Sequence, residues 1–309
     1  MSNVRKTVVI TGASSGIGRA CVRQMNRSGW QVFATVRKAA DAEKLLTEGG
    51  VLPILMDVED DASIAAAAGK IESQLDGHGL DGLVNCAGIG MVRPVEYATL
   101  DDLRKIFEIN VFGQVAVTQS LSHLLKKNRG RIVNVTSVGV NIAIPFGGLL
   151  NASKSAFAML SDSLRLELHP FGVRVIAVEP GAIATPAVGK TLGDIEGVIE
   201  ALPAEARAQY GDMLRAFAHQ AYTRERNGST PDVVARAVHH AFTSSHPRIR
   251  YRVGKHAKLL STLPRLLPES VLDALRIRMF GLQTPPRDRG QDKRRPQAGG
   301  LRHRLGGAS

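Results

Sequence analysis

Apolar residues along this chain fall into two textures. Thr7–Ile10, Gln31–Val36, Leu52–Met56, Gly82–Asn85, Arg131–Val135 and Val173–Val178 are short, β-branched and mostly apolar. Continuous rather than alternating apolar character marks strands covered on both faces. Between them, Gly16–Ser28, Asp61–Leu75, Leu100–Lys127 and Asn151–His169 carry their apolar residues at helical spacing. Alternation of the two textures predicts an α/β fold, a single Rossmann-type doubly wound parallel sheet with helices on both faces. Ile249–Val253 reads as a last strand, and no internal repeat of fixed period occurs.

The texture changes after Pro180. From Thr185 to Asn227 there is no strand signal, and the mixture of Ala, Leu and Met with scattered charges predicts a helical lid over a site. Pro231–Ser244 is expected to be a helix with Thr230 as its N-cap and proline in the first turn. Lys255–Leu282 carries Leu259, Leu260, Leu263, Leu266, Leu267, Val271, Leu272, Leu275, Ile277 and Phe280, interrupted by Pro264 and Pro268. Short amphipathic helices packed on the body are expected there. Lys258, Arg265, Arg276 and Arg278 interleave with those apolar positions, which leaves peripheral membrane contact as the less favoured alternative. One domain over residues 1–284 is therefore expected, with a C-terminal helical extension at 255–282. Residues 285–309, rich in Pro, Gly and Arg, form a basic tail expected to be disordered.

Bulk properties narrow the functional classes. At 309 residues and 44% apolar content the chain can bury a sizeable core. No uninterrupted apolar run of about 18 residues occurs, so no spanning helix is expected. The first residues lack the apolar stretch and cleavage site of a signal peptide, and a cytoplasmic location is expected. Cys21 and Cys86 lack CxxC spacing, so they read as small buried thiols, with no disulfide and no metal site expected. The formal net charge is +12, and the tail alone holds seven cations against two carboxylates. The remaining excess suits a protein that binds a polyanionic cofactor. With no aromatic stacking platform or recognition motif, nucleic acid is not an expected partner.

The first strand runs into Thr11-Gly12-Ala13-Ser14-Ser15-Gly16-Ile17-Gly18 and then a helix. Glycines between a first strand and a helix let the backbone turn sharply and approach a pyrophosphate, which the helix N-terminus attracts. The spacing is GxxxGxG rather than GxGxxG. About twenty residues on, the second strand ends in Val36-Arg37-Lys38, where a carboxylate would bind a ribose 2′-hydroxyl and repel a 2′-phosphate. None is present. Arg37, with Ser14 and Ser15 as hydroxyl donors, suits a 2′-phosphate, so NADP(H) is preferred over NAD(H).

With these residues in order, the chain resembles the short-chain dehydrogenase/reductase (SDR) family from about Val4 to Pro186, and the lid and C-terminal region look most like its hydroxysteroid and retinol dehydrogenase branch. Asp57-Val58 is similar to the family's adenine-contacting pair, and Asn85-Cys86-Ala87-Gly88 to its NxAG turn. The resemblance implies a catalytic set of Asn110, Ser137 and Lys154. It also implies cofactor contacts from Gly12, Ser14, Ser15, Gly16, Ile17, Gly18, Arg37, Asp57, Val58, Asn85, Ala87, Gly88, Lys154, Pro180, Gly181, Ile183 and Thr185. One position departs. The YxxxK motif places a tyrosine four residues before Lys154, and Leu150 stands there. In the family mechanism that phenol exchanges a proton with the substrate oxygen, help worth on the order of 10²–10⁴ in rate.

Tyr210 and Tyr222, in the lid, are the only other tyrosines expected within reach. The expected function is hydride transfer between nicotinamide and an apolar alcohol or ketone with turnover impaired at Leu150. The alternative is a cofactor-binding pseudoenzyme acting as a redox sensor or partner subunit. Ile195, Val198, Ile199, Leu202, Met213, Leu214 and Phe217 are expected to line an apolar pocket or form the lid's own core. Helix Asn151–His169, with Phe157, Leu160 and Leu164, resembles the family's subunit-contact helix, implying a homodimer or homotetramer.

Overall fold

The computed structural model describes residues 5–282. The expected tail at 285–309 lies outside the described residues. Strands β1 (Thr7–Ile10), β2 (Gln31–Val36), β3 (Val51–Leu55), β4 (Gly82–Asn85), β5 (Arg131–Val135), β6 (Arg174–Pro180) and β7 (Arg250–Val253) form one sheet in the order β3-β2-β1-β4-β5-β6-β7. Every pairing is parallel. Strand order reverses between β1 and β4, and the crevice beyond their carboxyl ends is where such a sheet receives a ligand.

Helices cover both faces because strand side chains alternate. Val8 and Ile10 join Cys21, Met25, Val238 and Phe242 in one layer, against α1 (Gly16–Arg27) and α10 (Asp232–Thr243). Val9 and Phe33 join Ile64, Ile71, Leu121 and Leu125 in the other, against α3 (Asp61–Gln74) and α5 (Gly113–Asn128). The remaining helices are α2 (Ala39–Leu46), α4 (Leu100–Phe107), α6 (Gly148–Glu167), α7 (Pro186–Leu192), α8 (Ile195–Glu200), α9 (Ala204–Arg226), α11 (Ala257–Leu266) and α12 (Glu269–Met279).

The structure corrects several expectations. Leu100–Lys127 is not one helix: a π-helical turn at Glu108–Phe112 separates α4 from α5. Helix α2 gave no usable signal, because Leu45 is its only buried residue. Helix α10 has Pro231, not Thr230, at its N-cap. Pro264 lies inside α11, and the break falls at Leu267–Pro268. The C-terminal extension forms two short helices with Ala257, Ser261, Leu272 and Phe280 buried, but Leu259, Leu266, Val271, Leu275 and Ile277 of the expected apolar set are exposed.

Candidate active site

The glycine turn after β1 is held by contacts that leave no room for side chains. Gly12 has φ +67°, and a Cβ there would lie 2.8 Å from Cα of Ala87. A Cβ on Gly18 would lie 2.2 Å from the Gly12 carbonyl oxygen. Gly16, at φ +55°, sits under Thr185, so the loops after β1 and β6 meet. At the start of α1, Ser15 makes no side-chain cap and the first turn has no acidic residue. The first-turn N–H groups and the positive helix end therefore face outward unneutralised, the arrangement a pyrophosphate fits.

The turn after β4 is fixed by one hydroxyl. Thr11 Oγ1 accepts from the backbone N–H of Cys86 and of Ala87, both at 2.9 Å, and donates to Gln114 Oε1 at 3.4 Å. Below it, Asn85 donates to Thr118 Oγ1 and Asn134 Oδ1, and Asn134 donates to Ser161 Oγ. These buried amides lock β4 and β5 onto α5 and α6. The exposed Arg37 lies at the end of β2, its guanidinium 3.8 Å from Glu59, a carboxylate that also holds Lys105. Asp57 turns its carboxylate onto the Glu59 N–H at 3.2 Å, and Val58 is buried against Gly113.

Asn110 is wholly buried in the π turn. Its Oδ1 accepts from Ile89 N–H at 2.9 Å, and its Nδ2 donates to Ile89 O and Ser153 Oγ at 3.0 Å. Ser153 in turn donates to Leu150 O at 2.8 Å. The turn is stabilised by Gln114, whose Nε2 donates to the Ile109 carbonyl at 2.9 Å. Lys154, four residues after Leu150 on α6, is buried, and its ammonium donates to Val135 O at 3.0 Å. A Cβ on Gly88 would lie 3.0 Å from Asn110 Oδ1 and 3.4 Å from Lys154 Nζ, so these three positions converge. Burial lowers the Lys154 pKa below the usual ammonium value, with the Cys86 thiol acting against the fall. Burial pushes that thiol up to about 11, with Lys154 opposing.

Ser137 ends β5's loop with Oγ accepting from Gly139 N–H at 3.0 Å, which leaves its own proton to donate. Pro180 and Gly181 end β6, where a Cβ on Gly181 would strike the Lys255 carbonyl. The structure thus brings Asn110 and Lys154 together at Gly88 and bonds Lys154 to the carbonyl of Val135, two residues before Ser137. It does not supply a phenol. Tyr210 donates to Glu96 at 2.7 Å and packs on Tyr97 and Phe146, and Tyr222 lies beneath Arg226. Among the described residues no tyrosine hydroxyl bonds to Asn110, Ser137 or Lys154.

Of the lid residues, Ile199, Leu202, Leu214 and Phe217 are buried with Val92, Phe146 and Phe280, and Ile195 and Met213 pack on them. They make the lid's own core rather than an open pocket. Of α6's apolar residues, Phe157 is buried while Leu160 is exposed.

Two groups escaped sequence reasoning. Glu225, near the end of α9, accepts from Ile183 N–H at 3.2 Å and ties the lid to the loop that carries Thr185. Burial raises its carboxyl pKa. Nothing local distinguishes it from other helix glutamates. Glu179 is different: a carboxylate inside the apolar run of β6 needs cations. Arg250 and Arg252, on one face of β7, supply them, and Arg250 also binds Asp162.

A description of the short chain dehydrogenase family matches residues 6–195. Retinol dehydrogenase 5 of Homo sapiens is 36% identical over 278 residues, 87% of this chain and 86% of that protein. The 17-beta-hydroxysteroid dehydrogenase type 6 of Rattus norvegicus is 36% identical over 282 residues, 87% of each chain. Among solved structures, a short-chain dehydrogenase from Streptomyces avermitilis superposes with TM-score 0.69 at 26% identity, over 91% of this chain and 97% of that one. A 3-ketoacyl-(acyl-carrier-protein) reductase from Brucella melitensis, complexed with NADH, does so with TM-score 0.64 at 25% identity, over 79% and 93%.

Proposed function

The chain belongs to the short chain dehydrogenase family of oxidoreductases, and from that premise we propose that it binds NADP(H) and transfers hydride to or from an apolar alcohol or ketone, slowly. The observation that carries the reading is the convergence of Gly88, Asn110 and Lys154 beside an uncapped α1 N-terminus, with leucine at position 150. Relatives named for retinol and a hydroxysteroid support an apolar substrate class. Preference for the 2′-phosphate rests on Arg37, exposed and loosely paired, with no carboxylate at the end of β2.

The nicotinamide supplies or accepts the hydride. The first turn of α1 would hold the pyrophosphate, Thr185 the carboxamide, and the Lys154 ammonium the ribose hydroxyls of such a cofactor. Ser137 donates its free proton to the substrate oxygen. Asn110 fixes the Ile89 backbone and, through Ser153, the first turns of α6. Leu150 exchanges no proton, so the proton moves through Lys154 or water; burial, which lowers the Lys154 pKa, makes its ammonium the stronger acid. A homo-oligomer paired through α6 belongs to the same proposal, supported by exposed Met159, Leu160 and Leu166.

A second reading, a cofactor-binding protein without turnover, is favoured by Leu150 alone. Titration of NADPH and NADH, followed by nucleotide fluorescence, with a screen of apolar ketones on the parent and on Leu150→Tyr, separates the two. NADPH binding tighter than NADH, with turnover detectable in the parent, upholds the proposal. Binding without turnover in either protein moves the assignment to the second reading, and binding of neither nucleotide removes both.

A further inference from the structure

Glu179 is wholly buried one residue before Pro180-Gly181, and its carboxylate meets three donors. Oε1 accepts from Arg250 at 2.5 Å, while Oε2 accepts from Arg252 at 3.1 Å and from the Asn141 amide at 3.4 Å. Arg250 also pairs with Asp162 on α6, so two guanidiniums balance two carboxylates. The need to neutralise a buried charge accounts for the arginines. It does not account for Asn141, which brings no charge to the cluster.

Asn141 is the last residue of the 3₁₀ turn Val138–Asn141, and Ser137 is that turn's N-cap. The turn is tight. Ser137 Oγ accepts from Gly139 N–H at 3.0 Å, and Val140 N–H donates to the Ser137 carbonyl at 3.3 Å. A shift of the turn therefore carries the serine hydroxyl with it. Side chains of two elements grip this segment. Asn151, next to Leu150 on α6, donates to the Ile142 carbonyl at 3.0 Å, and a Cβ on Gly139 would lie 2.5 Å from its Oδ1. The second grip is Asn141 on Glu179 of β6. Packing alone does not fix the turn, because Val140 and Asn141 border a cavity of about 240 Å³ shared with Ser155, Met159, Asp162 and Arg250. With free volume on that flank, a directed polar contact is what sets the turn's position.

We propose that Glu179 is a positioning residue for Ser137: its carboxylate, fixed by Arg250 and Arg252 of β7, holds the Asn141 amide and thereby the turn that aims the serine hydroxyl. Glu179 acts through Asn141 and not on the reacting atoms. The chemical consequence, a donor hydroxyl aimed at the substrate oxygen, rests on the proposed function, whereas the hold on the turn does not.

The test is amide hydrogen–deuterium exchange of the full chain, read by mass spectrometry on peptides spanning Ser137–Ile142. Asn141→Ala leaves both arginine pairs in place. It is expected to speed exchange in those peptides about fivefold, the factor carried by one hydrogen bond, with exchange in β1 and the melting temperature unchanged. Asn141→Asp sets a second carboxylate against Glu179 and is expected to speed it further. Asn141→Asp/Glu179→Gln exchanges donor and acceptor, restores the bond with its direction reversed, and is expected to slow exchange again. Asn141→Ala decides the matter by itself if the double variant does not fold. In the Leu150→Tyr protein, Asn141→Ala is expected to lower kcat ten- to a hundredfold, roughly the cost of a displaced reacting group, with NADPH affinity unchanged. Unchanged exchange in Asn141→Ala, or a rise spread evenly over the molecule, overturns the proposal. So does faster exchange of the turn with kcat unchanged, which would cut the link to Ser137. Faster exchange confined to the turn, with no turnover of any ketone by the parent or by Leu150→Tyr, upholds the hold on the turn and counts against the proposed function alone.

Discussion

Restoring a phenol at position 150 is the sharpest probe of the site. Leu150 is half-buried and four residues before Lys154 on α6, a spacing that puts their Cβ atoms about 6 Å apart. With the lysine ammonium about 6 Å from the new phenol oxygen and an effective dielectric of about 20, the charge would favour an ionised phenol by roughly 2.8 kcal/mol. That is about 2 pK units, which carries a tyrosine from about 10 to about 8. Leu150→Tyr should therefore gain about a hundred- to ten-thousand-fold in the rate of the chemical step, the range for a positioned general acid or base. Single-turnover oxidation of NADPH by an apolar ketone, measured across pH 6–10, reads both quantities. The expected profile for Leu150→Tyr has a limb near pH 8 that the parent lacks. Leu150→Tyr/Lys154→Met should move that limb back toward 10 and lose most of the gain. Equal rates for parent and Leu150→Tyr, with cofactor binding unchanged in both, would refute the assignment of position 150 as the missing proton donor.

Four further outcomes follow from the geometry. Glu179→Leu strands Arg250 and Arg252 against an apolar carboxyl position and should cost about 3 kcal/mol in urea unfolding, the low end for breaking a buried pair because the guanidiniums are a quarter exposed. Gly12→Ala should weaken NADPH binding at least tenfold while lowering the melting temperature, since its Cβ meets backbone at 2.8 Å and its φ is positive. Iodoacetamide should alkylate Cys86 at pH 8 about a hundredfold more slowly than a thiol titrating at 9.0, with the rate climbing about tenfold per pH unit until near 11, followed by peptide mass. Burial raises the Glu225 carboxyl in the folded state, so its contribution to stability is present at low pH and declines as pH rises above 4.5. Glu225→Gln should remove that decline, and its melting temperature relative to the parent should rise with pH.

Strand positions were legible to within two residues because β1, β2, β4, β5 and β6 are covered on both faces, and burial leaves a continuous apolar signature. Gly12 and Gly16 were legible because they sit between a strand end and a helix start, whereas Asn85, Asn110, Ser137 and Lys154 were named from the order of motifs that the chain shares with the family it resembles. Three features were not. The π turn is invisible because α4 and α5 keep apolar spacing on either side of it, and what holds it is tertiary: Asn110 to the Ile89 backbone and Gly113 against Val58. Helix α2 is only eight residues long and buries Leu45 alone, with Leu46 exposed, so no core-facing stripe marks it. The exposure of α11 and α12 could not be read because apolar spacing says which side chains share a face, not what that face meets.

The π turn at Glu108–Phe112 acts as a vernier between two helices. One residue more than an α-helix requires is absorbed there, and each residue of an α-helix rotates the face by about 100°. Asn110 and the inward side of α5, with Val117, Leu121, Leu124 and Leu125, are therefore phased independently of α4, whose buried residue is Ile106. Deleting a single residue within Glu108–Phe112 would close the vernier to a plain helix and turn one of these two faces outward. The chain has no setting in which an uninterrupted helix serves both the sheet and the active site.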